Sequence, residues 1–284
     1  MTTTSFMTPP VVALPLRGAE RRALLRMPSI GQSHVFVANP TLQRGPPAQA
    51  LADGLQVLDV VDTLDGEAMT MDLARAIAAE PAACDRVLQA RAHWLVAWRD
   101  AGVAFARCPH CERFDREWTL VGLAALQGIP RRAVADARGR LLPFALSFAP
   151  PQRAPRPPGV ALAARLRFRL PSGANATGVV EPVDATAEAL AWQRFAPIGE
   201  EADEDHDDWT FESAGFRAVL RTGVALASLG ANTRTDITPE DVEDLPLGDF
   251  CFLDELQSLA FLTPAMSADP TRCEACGRHF LPLG

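Results

Sequence analysis

From Glu67 the chain repeats apolar residues at helical spacing: Met71, Ala74, Ile77 and Ala78, then Val87, Leu88, Ala92, Leu95, Val96 and Trp98. Such intervals place one face of each segment against a core, so two helices are expected, punctuated by Pro81. Residues 113–120 alternate polar positions with Phe114, Trp118 and Leu120, the pattern of a strand. Leu166, Phe168 and Leu170 alternate with Arg165, Arg167 and Arg169, and Pro171-Ser172-Gly173-Ala174 turns the chain towards Gly178-Val179-Val180. That is a β-hairpin with one apolar face and one guanidinium face. Asp184 opens a helix through Leu190 and Trp192, and residues 211–229 read as another, with Phe216, Val219, Leu220, Val224 and Leu226 inward. Thr238-Pro239-Glu240-Asp241 reads as an N-cap with proline in the first turn, and 245–262 as a final amphipathic stretch.

The pattern weakens at both ends of this core. Residues 1–50 carry seven prolines and little periodicity, so they read as a Pro-rich irregular arm with one short strand over 33–38. Residues 149–159 hold five prolines in eleven positions and read as an extended linker. The expectation is an α+β protein of two lobes. A helical lobe over 51–148 carries the first of two CxxC knuckles. A lobe over 160–284 carries the hairpin, further helices and the second knuckle.

The length of 284 residues suffices for such a core, and 48% hydrophobic with 22% charged residues is ordinary globular usage. All 27 basic residues are Arg, which makes any single Arg weak functional evidence. The net charge of −8 argues against general nucleic-acid binding, because the phosphate backbone calls for a concentrated positive surface. Seven carboxylates lie within nine positions, 200–208, and lack the mid-loop Gly and spacing of a calcium-binding loop, so they read as a solvated acidic loop. No run of eighteen apolar residues and no basic-then-apolar leader occurs in the chain, which predicts no membrane span and no signal peptide. The expected compartment is the reducing cytoplasm.

Chemistry concentrates in two segments, Arg107-Cys108-Pro109-His110-Cys111-Glu112-Arg113-Phe114 and Arg272-Cys273-Glu274-Ala275-Cys276-Gly277-Arg278-His279-Phe280. Two thiolates two residues apart form half of a tetrahedral zinc site, because the tight turn points both sulfurs at one metal ~2.3 Å away. Gly277 stands where such a turn needs positive φ, whereas Glu112 stands there in the first segment. The interval between Cys111 and Cys273 exceeds ordinary ribbon spacing, and three arrangements are open. Cys108, Cys111, Cys273 and Cys276 share one Zn²⁺ in a split zinc ribbon; two separate sites are completed by His110, His279 or a second chain; or no metal is bound. A redox reading also exists, since Cys108-Pro109-His110-Cys111 resembles the active segment of DsbA-type thiol oxidases. Against it, the residues before Cys108 read as part of the Trp-containing helix and a second CxxC is left over. Phosphate-loop, dinucleotide, serine-hydrolase and HExxH signatures are missing from the sequence; His34, His93 and His206 are scattered; Cys84 and Cys251 lie in apolar helical segments as core residues. Trp94 and Trp98, one turn apart, are expected in the core.

The order of Cys108-Pro109-His110-Cys111 with the strand 114–118, Arg169-Leu170-Pro171-Ser172-Gly173, the helix before Pro264 and Cys273-Glu274-Ala275-Cys276-Gly277 resembles bacterial and phage baseplate hub assembly chaperones of contractile tails. The resemblance covers roughly residues 60–284. It implies a non-enzymatic assembly protein of a phage tail or a phage-derived injection apparatus, whose partners are baseplate or hub proteins. The rival classes are a CPHC-type thiol–disulfide oxidoreductase and a zinc-ribbon nucleic-acid binder. The latter needs Arg165, Arg167 and Arg169 to join Arg107 and Arg278 in one basic surface.

Overall fold

The computed structural model describes residues 8–33, 46–126, 131–135, 141–148, 161–162, 165–173, 176–181, 186, 189, 214–257, 259 and 271–281. The chain begins with β1 (Val11–Leu16) and β2 (Ala19–Leu25), then α1 (Pro46–Val60), β3 (Val61–Leu64), β4 (Glu67–Ala68), α2 (Met71–Ala78) and α3 (Pro81–Asp100). Strands β5 (Val103–Arg107) and β6 (Phe114–Thr119) follow, then α4 (Leu120–Leu126), β7 (Arg131–Ala135), β8 (Leu141–Phe148), β9 (Ala161–Leu162), β10 (Leu166–Arg169) and β11 (Thr177–Val180). The last part holds α5 (Ala214–Ala225), β12 (Leu226–Leu229), β13 (Asn232–Thr233), α6 (Pro239–Glu243), α7 (Leu247–Gln257), β14 (Thr271–Arg272) and β15 (His279–Leu281). The protein is α+β, as its periodicities predict.

The first segment departs from expectation. Instead of an irregular arm, Val11–Leu25 is a hairpin whose Arg17 and Gly18 both have positive φ, 45° and 81°. Two successive positive φ values are what a two-residue turn needs to match strand twist. Leu14, Leu16, Ala23 and Leu25 enter the core from this hairpin. Pro15 is tolerated because β1 is an edge strand of the sheet β1-β2-β3-β4, where a missing N–H breaks no ladder. Ser33 lies outside any strand, and the rest of the strand expected over 33–38 falls outside the described residues.

A six-stranded antiparallel sheet, ordered β13-β12-β11-β10-β5-β6, forms the centre. Within it β10 pairs with β5, with Phe168 opposite Ala104 and Leu166 opposite Ala106. Strands from both sides of residues 149–159 therefore share one sheet, although those residues themselves lie outside the described set. The two core clusters divide along α3. Trp94 and Trp98 look into the cluster formed with β1, β2, α1 and α2; Leu95 looks into the cluster of the large sheet and α7. The two indoles meet edge to face, with centroids 5.9 Å apart, in the core as expected.

Three further elements differ from the sequence reading. The helix expected over 211–229 ends at Ala225, because Leu226–Leu229 leaves to pair with β11. The residues before Cys108 are strand β5 and not the tail of α3, whose last residue is Asp100. The stretch expected to be amphipathic is in fact enclosed: Leu247, Phe250, Cys251, Phe252, Leu253 and Leu256 are all buried in α7, with Asp249 and Gln257 among them. Of the helix expected from Asp184, residues 186 and 189 are described and are helical; the rest of it and the acidic run at 200–208 fall outside the described residues.

Polar contacts set how these layers dock. Trp98 Nε1–H donates to Asp249 Oδ1 at 2.7 Å, and the same oxygen accepts from the Ser172 backbone N–H at 3.1 Å. One carboxylate thus ties α3, α7 and the β10–β11 turn together. Gly248 permits the approach, since a Cβ there would lie 2.3 Å from Trp98 Cδ1. Thr238 caps α6 in a full capping box with Asp241, as the sequence predicts.

Candidate metal centre

Each CxxC segment is the turn of a β-hairpin, between β5 and β6 in one case and β14 and β15 in the other. The two turns are built alike. In the first, Cys108 N–H donates to Arg113 O at 2.8 Å and Glu112 N–H to Cys108 O at 2.9 Å. In the second, Cys273 N–H donates to Arg278 O at 2.8 Å and Gly277 N–H to Cys273 O at 2.8 Å. The residue after each second cysteine takes positive φ, 73° at Gly277 and 60° at Glu112. Glu112 therefore accepts the left-handed conformation that its position demands, at a cost of about 1 kcal/mol relative to glycine. Compensation is visible: Arg107 Nε–H donates to Glu112 O at 2.9 Å, and Arg107 Nη2 pairs with Glu112 Oε2 at 2.8 Å. Arg272 Nε–H repeats the first of these contacts on Gly277 O at 3.2 Å.

The fold brings the two turns together. Cys108, Cys111, Cys273 and Cys276 have all four sulfurs within 4.8 Å of one another. Sulfurs of opposite knuckles touch: Cys108 Sγ to Cys276 Sγ at 3.7 Å and Cys111 Sγ to Cys273 Sγ at 3.7 Å. A regular tetrahedron built on bonds of ~2.3 Å has edges of ~3.8 Å, so these contacts fit four thiolates around one thiophilic cation. The first cysteine of each knuckle is buried, Cys108 at 0% and Cys273 at 2% exposure, whereas Cys276 is exposed and Cys111 half-buried. No position within the set calls for a histidine. His110 instead donates from Nε2 to the His279 backbone oxygen at 3.2 Å, strapping one knuckle to the other. Of the three arrangements open in the sequence, the geometry matches the one in which all four cysteines face a single site.

At one of the four cysteines, Cys273, electrostatics favour the thiolate form. Burial pushes the Cys273 thiol up, but this is outweighed by the backbone N–H groups of Cys276 and Ala275 and by the Cys108 and Cys111 thiols, which leave it pulled down to about 7. Four arginines, Arg107, Arg113, Arg272 and Arg278, flank the knuckles at the sequence level.

The other candidates separate cleanly. Cys84 and Cys251 are buried core thiols remote in role from this cluster, and burial raises the Cys251 pKa far above its ordinary value. Cys108 opens a turn between strands, and the next helix begins at Leu120, so it lacks the helix N-terminus that activates a DsbA-type cysteine. On the guanidinium face, Arg165 pairs with Glu181 at 2.6 Å and Arg169 with Glu117 at 3.1 Å, so carboxylates interrupt the basic surface a nucleic-acid binder needs. The sequence reading missed Asp249, the buried carboxylate that holds the Arg169-to-Gly173 turn in place; nothing in its spacing distinguishes it from a surface acid. Among the described residues, no helix is long and apolar enough to cross a membrane. No protein-family model, no curated protein and no solved structure matches this chain.

Proposed function

We propose that this chain is a non-enzymatic zinc protein whose Cys108, Cys111, Cys273 and Cys276 thiolates hold one Zn²⁺ as a structural clamp, and that it works by protein–protein interaction. The observation that carries the reading is the meeting of four sulfurs from knuckles 162 residues or more apart in sequence. Four protein thiolates close the tetrahedron and leave no open position for water or substrate, which favours architecture over turnover. The metal then joins β5 and β6 of the central sheet to the C-terminal hairpin β14–β15. A reducing compartment such as the cytoplasm keeps such thiolates available for metal.

The partners we propose are baseplate or hub proteins of a contractile tail apparatus. This rests on the resemblance of the two CxxC turns and the Arg169-to-Gly173 segment to baseplate hub assembly chaperones.

Two experiments test the reading. Metal analysis of the purified chain and of Cys108→Ser and Cys273→Ser variants is expected to find zinc in the parent and its loss in either variant. Full metal content in either variant refutes the shared clamp. Co-expression with tail hub and wedge proteins is expected to give a complex that the variants lose. Recovery of the chain free of every hub and wedge protein refutes the assembly role while leaving the clamp standing.

A further inference from the structure

The exposure of the four sulfurs alternates in a way that zinc binding alone does not require. Within each knuckle the first cysteine is inside and the second outside. Each touching pair crosses between knuckles and joins one inner to one outer sulfur: Cys108 with the exposed Cys276, and Cys273 with the half-buried Cys111, both at 3.7 Å. A soluble oxidant therefore reaches an outer thiolate first, and the sulfur already in contact with it belongs to the other half of the chain. The knuckle turns are held shut by backbone hydrogen bonds, Glu112 N–H to Cys108 O and Gly277 N–H to Cys273 O, so oxidation finds its resolving partner across the gap.

We infer that this centre is a peroxide-responsive clamp that exchanges its metal for disulfides Cys108–Cys276 and Cys111–Cys273, keeping the two knuckles tied. This rests on the zinc reading above for the metal that is released. In the first step the Cys276 thiolate attacks one oxygen of hydrogen peroxide. The O–O bond breaks, the other oxygen leaves as water after taking a proton, and Cys276 becomes the sulfenic acid. The Cys108 thiolate then attacks that sulfur; an S–S bond forms, the S–O bond breaks, and the departing hydroxide takes a proton to give a second water. Two thiolates are oxidised by two electrons and one peroxide is reduced. The remaining two sulfurs bind zinc far more weakly, so the ion leaves, and a second peroxide closes Cys111 with Cys273 by the same steps.

A bridge inside either CxxC would have the opposite consequence, since both covalent links would then be local and the halves would part. The pairing therefore decides whether oxidation preserves or releases the clamp.

The sequence provides the assay. Trypsin cuts after Arg107, Arg113, Arg272 and Arg278, giving one peptide from Cys108 to Arg113 and another from Cys273 to Arg278. Full-length protein is assayed for zinc, treated with hydrogen peroxide while zinc release is followed with a chromogenic chelator, alkylated and digested without reduction. The expected result is loss of the bound zinc together with the two hexapeptides joined as one species, whose fragment ions link Cys108 to Cys276 and Cys111 to Cys273; fragment ions that link Cys108 to Cys273 overturn the inference. The oxidised protein is also expected to melt closer to the zinc form than does reduced, chelator-stripped protein. Two separate, internally bridged hexapeptides overturn the inference, as does full alkylation of all four thiols after zinc release. A melting temperature as low as that of the stripped protein overturns it too. Absence of zinc from the starting protein counts against the zinc reading alone, because the peptide map of the oxidised chain still decides the pairing.

Discussion

If the four-cysteine centre holds zinc as proposed, stripping the metal removes a cross-link between distant parts of the chain, and the size of the effect follows from that distance. The touching sulfurs belong to residues 162 and 168 positions apart. Closing a loop of ~165 residues lowers the entropy of the unfolded chain by about 17 cal/mol/K, which is about 5 kcal/mol at 25 °C. With an unfolding entropy of ~2.1 cal/mol/K per residue, a chain of 284 residues has about 0.6 kcal/mol/K, so losing the link lowers Tm by about 8 °C. The assay is thermal melting followed by circular dichroism in the presence of a reductant. It compares zinc-loaded protein, protein with excess chelator, and stripped protein given zinc again. The third sample is expected to regain the Tm of the first. A chelator shift below about 2 °C refutes the reasoning, as does a shift of equal size in a Cys108→Ser/Cys273→Ser double variant.

Three other predictions concern single residues. Gly277→Ala forces a Cβ into a backbone of φ 73° and is expected to lose about 1 kcal/mol in urea unfolding, whereas Glu112→Gly at the matching position is expected to stay within about 0.5 kcal/mol, because relief of left-handed strain offsets the added chain entropy; equal effects at the two positions would show that the knuckles are not equivalent. Burial raises the Asp249 pKa, against the lowering effect of its bonds from Ser172 and Trp98, so the folded state holds this proton more tightly than the unfolded state and the residue's contribution falls as pH rises above the ordinary carboxylate value of about 3.9. Asp249→Asn keeps an oxygen for both donors, and its stability relative to the parent is expected to increase as pH is raised from about 3.9 towards neutrality; a difference independent of pH refutes this. Arg91 is buried in α3 with Nε, Nη1 and Nη2 all lacking hydrogen-bond partners among the described residues, and Asp59 and Cys251 offer only longer-range attraction. Arg91→Met is therefore expected to be neutral or to stabilise by about 1–4 kcal/mol in urea unfolding, and a loss above about 2 kcal/mol refutes the reading of an uncompensated guanidinium.

Legibility tracked the range of the interactions. Helices α2 and α3, the β10–β11 hairpin, the Thr238 cap and both CxxC turns are read directly from their residues, because each depends on neighbours a few positions away. The β1–β2 hairpin was also written locally, in the alternation of Val12, Leu14 and Leu16 with Ala13 and Pro15 before the Arg17-Gly18 turn, but the prolines of the first fifty residues masked it. The end of α5 was hidden for a different reason. Leu226, seven positions after Val219, continues the helical apolar spacing and becomes a strand residue only because β11 offers a ladder to pair with.

By itself the sequence determined that two dithiol turns exist, which cysteines form them, and that Cys84 and Cys251 stand apart from them. Spacing could not say whether the turns meet, since loop-closure entropy grows only slowly with length and permits many partners. The tertiary structure decided it by pairing β5 with β10 and β6 in the large sheet and burying Cys108, Cys273 and Phe280 of β15 in the same core cluster as Ala104 and Ala106 of β5. The structure alone likewise decided which sulfur touches which, because the side chains' inner and outer positions follow from the mutual docking of two hairpins and not from either turn alone.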